Sequence, residues 1–230
     1  VKTEALLFDV FGTVVDWRTS VAEQCAAVLP GSVDSFAFAD RWRSLYQPSM
    51  EQVRCGAREF TRLDVLHLES LRVVLSEFGV DLPESTIVEL NRVWHRLTPW
   101  PDSIDGLTRL KSRFIVAPLS NGNVSLLLDM AKNAGLPWDA ILGAEPVRAY
   151  KPTPESYLRT ADILGLQPHQ CMLVAAHNDD LAAARDCGFD TAFVCRPTEH
   201  GAHQSSNLGP TSDWTYSTDS ISELADRLNC

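Results

Sequence analysis

The chain has 230 residues, 45% of them apolar, which is long enough for one α/β domain with a smaller appendage and for a sizeable core. With 30 acidic against 20 basic residues the formal net charge is -10, which argues against nucleic-acid backbones and anionic membrane surfaces as partners. A small anionic substrate stays compatible with it, because a few buried cations outweigh a distant negative surface.

In chain order, the first apolar run is Ala5 to Phe8, of buried-strand type and closed by a polar, glycine-containing turn, Asp9-Val10-Phe11-Gly12-Thr13. With Lys2 and Glu4 before it, this run is too short and too charged for a signal segment or a membrane span, so a chain without a membrane anchor is expected. From Trp17 to about Leu97 the periodicity is helical, with no convincing strand. Phe60, Leu63, Leu66, Leu71 and Val74 form one stripe, and Glu84-Ser85-Thr86 opens a second helix carrying Ile87, Leu90, Val93, Trp94 and Leu97. Pro99-Trp100-Pro101 closes it.

Strand and helix then alternate. Phe114 to Leu119, Ile141-Leu142, Met172 to Ala176 and Ala192-Phe193-Val194 read as strands. Helices read from Ser125 to Asn133, stopped by Gly135, and from Pro154 to Leu164, stopped by Gly165. This alternation predicts an α/β fold with a doubly wound parallel sheet. The first strand would be orphaned without the later ones, so the helical block reads as an insertion: a discontinuous core of residues 1–14 and 98–230, and a helical cap of residues 15–97. Pro118 lacks a ladder donor and reads as a bulge or strand end before Ser120. The tract around His203-Gln204-Ser205-Ser206-Asn207 reads as a surface loop. Cys25, Cys55, Cys171, Cys187, Cys195 and Cys230 show neither CxxC pairing nor zinc spacing, so no structural metal or disulfide framework is expected, and reduced thiols in the cytoplasm fit.

Four polar clusters fall at or just beyond predicted strand ends: Asp9 to Thr13, Ser120-Asn121-Gly122, Tyr150-Lys151, and His177 to Asp180. In a parallel sheet those ends share one edge. A carboxylate, a lysine, a hydroxyl and an amide brought together suit a nucleophilic carboxylate, with the lysine keeping Asp9 ionised. Gly12 lets the backbone turn closely there, and Thr13 is placed to bond the loop or cap the next helix.

FDVFGT, LSNG, YKP with Tyr157 six residues after Lys151, and a last aspartate motif together make the chain similar to the haloacid dehalogenase superfamily and, within it, to the type II L-2-haloacid dehalogenases. The likeness spans nearly the whole chain. It implies that Asp9 attacks the halogen-bearing C2 of a small anionic 2-haloacid, giving an ester that water then hydrolyses, with no cofactor and no metal. It implies that Lys151 orients Asp9, with Asp180 and Tyr157 around it. Ser120 would hold the substrate carboxylate, with Thr13, Tyr157 and Phe11 also among the substrate contacts, and Arg43, assisted by Asn121, would receive the departing halide. A homodimer is implied on the same ground alone.

Magnesium phosphatases are the commoner members of that superfamily. They usually carry a second aspartate two residues after the nucleophile, where this chain has Phe11, and an acidic Gly-Asp pair where it has Ala175-Ala176. Losing a carboxylate ligand weakens a hard-cation site. The type II pattern Ser-Ser-Asn is replaced by Ala175-Ala176-His177, so His177 is a candidate for orienting or deprotonating the hydrolytic water, against the alternative of a core histidine. Arg41 competes with Arg43, since either can be a solvated helix charge, and Asp180 can simply favour a helix dipole. Phe11, Trp17, Trp42, Tyr46 and Trp100 are candidates for an apolar wall, core packing being the default for each. The segment Arg196 to Gly201 carries no assigned role. The competing functions are a magnesium phosphatase and a catalytically silent interaction protein.

Overall fold

The computed structural model describes residues 2–230. Strands β1 (Ala5–Phe8), β4 (Ile115–Pro118), β5 (Cys171–Ala175), β6 (Asp190–Val194) and β7 (Tyr216–Thr218) form one sheet in the order β4-β1-β5-β6-β7. Every neighbouring pair is parallel, with Phe8 facing Pro118 on one side and Val174 on the other. The continuous apolar runs are explained by burial on both faces: all four residues of β1 and all five of β5 are buried. The short β2 (Val15–Asp16) pairs antiparallel with β3 (Thr98–Pro99).

Between β2 and β3 lie five helices: α1 (Trp17–Ala26), α2 (Ser35–Ser44), α3 (Tyr46–Arg54), α4 (Leu63–Glu77) and α5 (Glu84–Asn91), the last continuing into a 3-10 turn at Arg92–His95. Asp16 and Asp34 start α1 and α2 by accepting backbone N–H bonds from Thr19 and from Phe36 and Ala37. The sheet is flanked by α6 (Ser103–Lys111), α7 (Val124–Ala134), α8 (Ala144–Val147), α9 (Pro154–Ile163), α10 (Asn178–Asp186) and α11 (Ile221–Arg227). Gly135, in the left-handed region at φ 71°, ends α7 where the sequence places a stop.

Three expectations need correction. Ile141-Leu142 is not a strand. Asp139 takes the outer edge of β4 instead, its backbone N–H donating to the Val116 carbonyl and its carboxylate accepting the Val116 N–H. That edge position also accommodates Pro118, the last residue of β4, whose missing N–H has no outer neighbour to serve. Strand β7 was not expected, because Tyr216-Ser217-Thr218 lacks an apolar run and pairs only with the edge left by β6. Phe60 precedes α4 and does not belong to its stripe; its ring stacks on Tyr150, centroids 5.3 Å apart.

One apolar cluster lies on one face of the sheet and runs on into the helical block, joining Leu6 and Phe8 to Trp17, Trp42 and Trp94. A second cluster on the other face centres on Leu7, Leu173 and Tyr157. Among the described residues no helix is long and apolar enough to cross a membrane, and the six cysteines are free thiols.

Candidate active site

The ends of β4, β1, β5 and β6 lie side by side, so the residues following them meet. Asp9 leaves β1, Ser120 and Asn121 follow β4, His177 follows β5, and the turn after β6 brings Glu199. This is the crevice outside the carboxyl ends of a parallel sheet. A cavity of about 1090 Å³ opens here between the sheet edge and helices α2 and α3.

Asp9 is 6% exposed and all its protein partners are donors. Lys151 Nζ donates to Oδ1 at 2.9 Å, while the Thr13 hydroxyl at 2.8 Å and His177 Nδ1 at 3.0 Å donate to Oδ2. Burial opposes ionisation, but the charge of Lys151 and the bond from His177 outweigh it and hold Asp9 well below the usual carboxylate range. Lys151 also bonds Asp180, whose other oxygen accepts the Tyr157 hydroxyl at 2.6 Å. Burial disfavours the ammonium, yet the carboxylates of Asp180 and Asp9 raise Lys151 above the ordinary lysine range. Burial and the neighbouring Asp9 charge raise Asp180.

His177 lies between two carboxylates. Nδ1 meets Asp9, and Nε2 is 2.9 Å from Glu199 Oε2. Burial opposes its protonation, but the charge of Glu199 and the bond to Asp9 push it up to about 10. At neutral pH the ring is therefore an imidazolium donating from both nitrogens. Glu199 is 1% exposed and also accepts the Trp17 indole N–H at 3.0 Å. Gly12, at φ 88°, is required where it stands: a Cβ there would fall 2.0 Å from Glu199 Oε1.

Across the cavity, Arg43 from the last turn of α2 lies over the ring of Tyr46, Cζ to centroid 3.9 Å, with Trp17 at 5.2 Å and Phe11 at 5.7 Å. Its Nη1 is buried and has no hydrogen-bond partner among the described residues. Such a donor is costly unless something else accepts from it. Arg41, by contrast, is engaged at the surface with Glu77 at 2.7 Å.

The structure brings Asp9, Lys151, Asp180, His177, Asn121, Arg43 and Phe11 to this cavity. Asn121 accepts the Lys151 backbone N–H at 2.8 Å, tying the β4 end to the lysine turn. Thr13 and Tyr157, expected as substrate contacts, stand behind the site instead. Both are 0% exposed, Thr13 spends its hydroxyl on Asp9 and accepts the Ala176 N–H at 2.9 Å, and Tyr157 serves Asp180. Ser120 is 3% exposed and lies outside the cavity lining, its hydroxyl oxygen accepting the Gly122 N–H at 3.2 Å. Of the apolar-wall candidates, Phe11, Trp17 and Tyr46 line the cavity. Trp42 is packed inside the helical block, donating to the His67 carbonyl, and Trp100 bonds the Gly12 carbonyl at 2.9 Å.

Sequence reasoning missed Glu199. Its one signal is position, a carboxylate in the turn after the strand that neighbours β5. Arg54, which donates to the Lys151 carbonyl at 3.0 Å and joins α3 to the sheet edge, was also missed.

Residues 3–188 match the profile of the haloacid dehalogenase-like hydrolases. A defluorinating L-2-haloacid dehalogenase of known structure is 55% identical, with 99% of this chain and 96% of that chain covered and a TM-score of 0.97. A second L-2-haloacid dehalogenase structure is 45% identical, with 99% of each chain covered and a TM-score of 0.96. The (S)-2-haloacid dehalogenase of Xanthobacter autotrophicus is 29% identical over 195 residues, 84% of this chain and 75% of that protein.

Proposed function

Because the chain belongs to the haloacid dehalogenase-like hydrolase family, we propose that it hydrolyses short 2-haloalkanoic acids to 2-hydroxyalkanoic acids and halide, as a hydrolase of the (S)-2-haloacid dehalogenase type. The observation that carries this reading is the placement of Asp9, a buried carboxylate held ionised by Lys151, across the same cavity from Arg43, whose buried Nη1 has no hydrogen-bond partner among the described residues. Asp9 displaces the halide from C2 and forms an ester. Arg43 receives the departing anion, in a cage of Tyr46, Trp17 and Phe11 that keeps the guanidinium poorly hydrated. Charge concentrates on the halide only as the bond breaks, so a cation placed there favours the transition state over the ground state. Water then attacks the ester carbonyl with His177 as its base, and Asp9 is regenerated.

Two features favour this reaction over metal-dependent phosphoryl transfer. Phe11 occupies the position where a general acid would stand, and a departing halide needs none. The oxygens of Asp9 accept from Lys151, Thr13 and His177, and those of Asp180 from Lys151 and Tyr157. Both carboxylates are already engaged by protein donors, which disfavours their recruitment by Mg²⁺, a cation that wants near-octahedral oxygen ligation. The division into a core of residues 1–14 and 98–230 and a cap of residues 15–97 follows the β2–β3 ribbon, the hinge on which a cap would ride. Free thiols support a cytoplasmic setting, and a homodimer is proposed from the resemblance, to be checked by light scattering.

Halide release from a panel of fluoro-, chloro- and bromo-2-acids, with and without EDTA, tests the reading. Fluoroacetate heads the panel because the 55%-identical relative is named for defluorination. Release that EDTA leaves unchanged and that Asp9→Asn abolishes is expected. Metal-dependent phosphate release with no halide from any acid would sink the proposal.

A further inference from the structure

Glu199 is a buried ionisable group lining the cavity that displacement at Asp9 leaves unused. It stands 1% exposed at the bottom of the site, with Oε1 accepting from Trp17 Nε1 at 3.0 Å and both oxygens within 3.1 Å of His177 Nε2. A carboxylate so deeply buried is tolerated only when cationic groups face it; His177 is bonded to it, His200 Nε2 stands 3.6 Å from Oε1, and the Arg43 charge also favours its ionised form. The other ring nitrogen, Nδ1, is 3.0 Å from Asp9 Oδ2. The imidazole is thus a bridge between the nucleophile and a carboxylate that has no direct bond to it. In the resting enzyme the bridge is protonated at both ends and is no base.

Resting on the reading that Asp9 becomes an ester, we propose that Glu199 is a positioning residue that holds the Nε2 proton of His177, so that esterification of Asp9 converts His177 into a base with its free lone pair on Nδ1. In the first step an Asp9 oxygen forms the C–O bond to C2 while the C–halogen bond breaks and its electron pair leaves as halide. Asp9 is then neutral, and the imidazolium has lost one of its two carboxylate partners. The proton on Nδ1, no longer bonded to an anion, passes to solvent, which reaches the 23% exposed ring through the cavity. The proton on Nε2 stays, because Glu199 still accepts it.

The lone pair on Nδ1 now points at the former carboxylate, beside the ester carbonyl. It takes a proton from water as the water oxygen bonds to the Asp9 carbonyl carbon. Collapse breaks the carbonyl carbon–alkoxide bond, and the acid proton of the intermediate moves to the departing alkoxide. Asp9 returns as carboxylate and His177 as imidazolium, with one proton and one halide released per turnover. Glu199 fixes which nitrogen is the base, the role a buried carboxylate plays behind a histidine in hydrolytic triads.

Glu199→Gln tests the inference in single-turnover experiments with the best halide-releasing acid of the panel, following halide and intact protein mass. The expected variant releases one equivalent of halide at the wild-type rate, then accumulates an ester on Asp9 whose hydrolysis is slowed by about 10²- to 10⁴-fold. Its ester hydrolysis should also reach its high-pH plateau at lower pH, since no anion supports the imidazolium, and Glu199→Asp should recover part of the rate. Wild-type ester hydrolysis with an unshifted pH profile, or equal slowing of halide release and ester hydrolysis, would overturn the inference. If Glu199→Gln does not fold, Trp17→Phe decides. Removing the indole donor makes Glu199 more basic, so the pH limb should move upwards, and an unmoved limb counts against the proposal. Failure of the dehalogenase reading itself looks different: wild-type protein releases no halide at all.

Discussion

Replacing Asp9 by Asn removes the proposed nucleophile but keeps its shape, so halide release should stop while the fold survives, as judged by circular dichroism. Lys151→Met removes the cation that keeps Asp9 ionised, and a fall of about 10²- to 10³-fold in halide release is expected, the usual cost of losing one preorganised charged donor. Arg43→Lys keeps the charge but loses the planar group stacked on Tyr46 and should slow the halide-releasing step by about 10- to 100-fold. His177 also carries a pH signature in stability. Its folded value lies near 10 against an ordinary 6.5, so its contribution is fully present below about pH 6.5 and is lost as pH rises towards 10. Over that window the difference in Tm between wild type and His177→Asn should shrink. A constant difference would show that the imidazolium bridge does not form.

At the scale of elements, the turn after β1 is held from three sides. Gly12 allows the close approach of Glu199, the Thr13 hydroxyl ties β1 to the end of β5 through the Ala176 N–H, and Arg196 donates to the Thr13 carbonyl while pairing with Asp102. Gly12→Ala therefore strains a left-handed backbone and drives a methyl group into Glu199. It should destabilise the protein by about 1–3 kcal/mol and disturb ester hydrolysis more than halide release, both measurable on one preparation. The end of β4 shows how little local pattern decides. Ile141-Leu142 has the apolar character of a strand, yet Asp139 supplies the hydrogen bonds that β4 needs, and the following residues are left to pack as coil.

For the molecule as a whole, the larger apolar cluster passes without a break from the sheet into the helical block. Trp94 is its junction, packed against Phe11 at 5.9 Å, Trp17 at 6.2 Å and Trp42 at 5.5 Å between ring centroids. Core and helical block should therefore unfold in one transition, and Trp94→Ala should cost about 3–5 kcal/mol. Two separated transitions in calorimetry would show that the shared core does not couple them.

Residue pattern alone carries the α/β alternation, the insertion of a helical block after the first strand, and the carboxylate proposed as nucleophile with its lysine. Buried parallel strands write themselves as apolar runs, and the polar residues that end them must face the same edge. The chain also carries Phe11 and Ala176 where the phosphatases usually have an acid and a metal-holding carboxylate. Packing in three dimensions separates Arg43 in the cavity from Arg41 at the surface, sets Thr13 and Tyr157 behind the site instead of against a substrate, and pairs His177 with Glu199. Those outcomes depend on which way a side chain points from a turn and on which of two neighbouring charges finds a partner. The contact between His177 and Glu199 spans 22 residues and a strand crossover, a distance over which no periodicity or motif carries information.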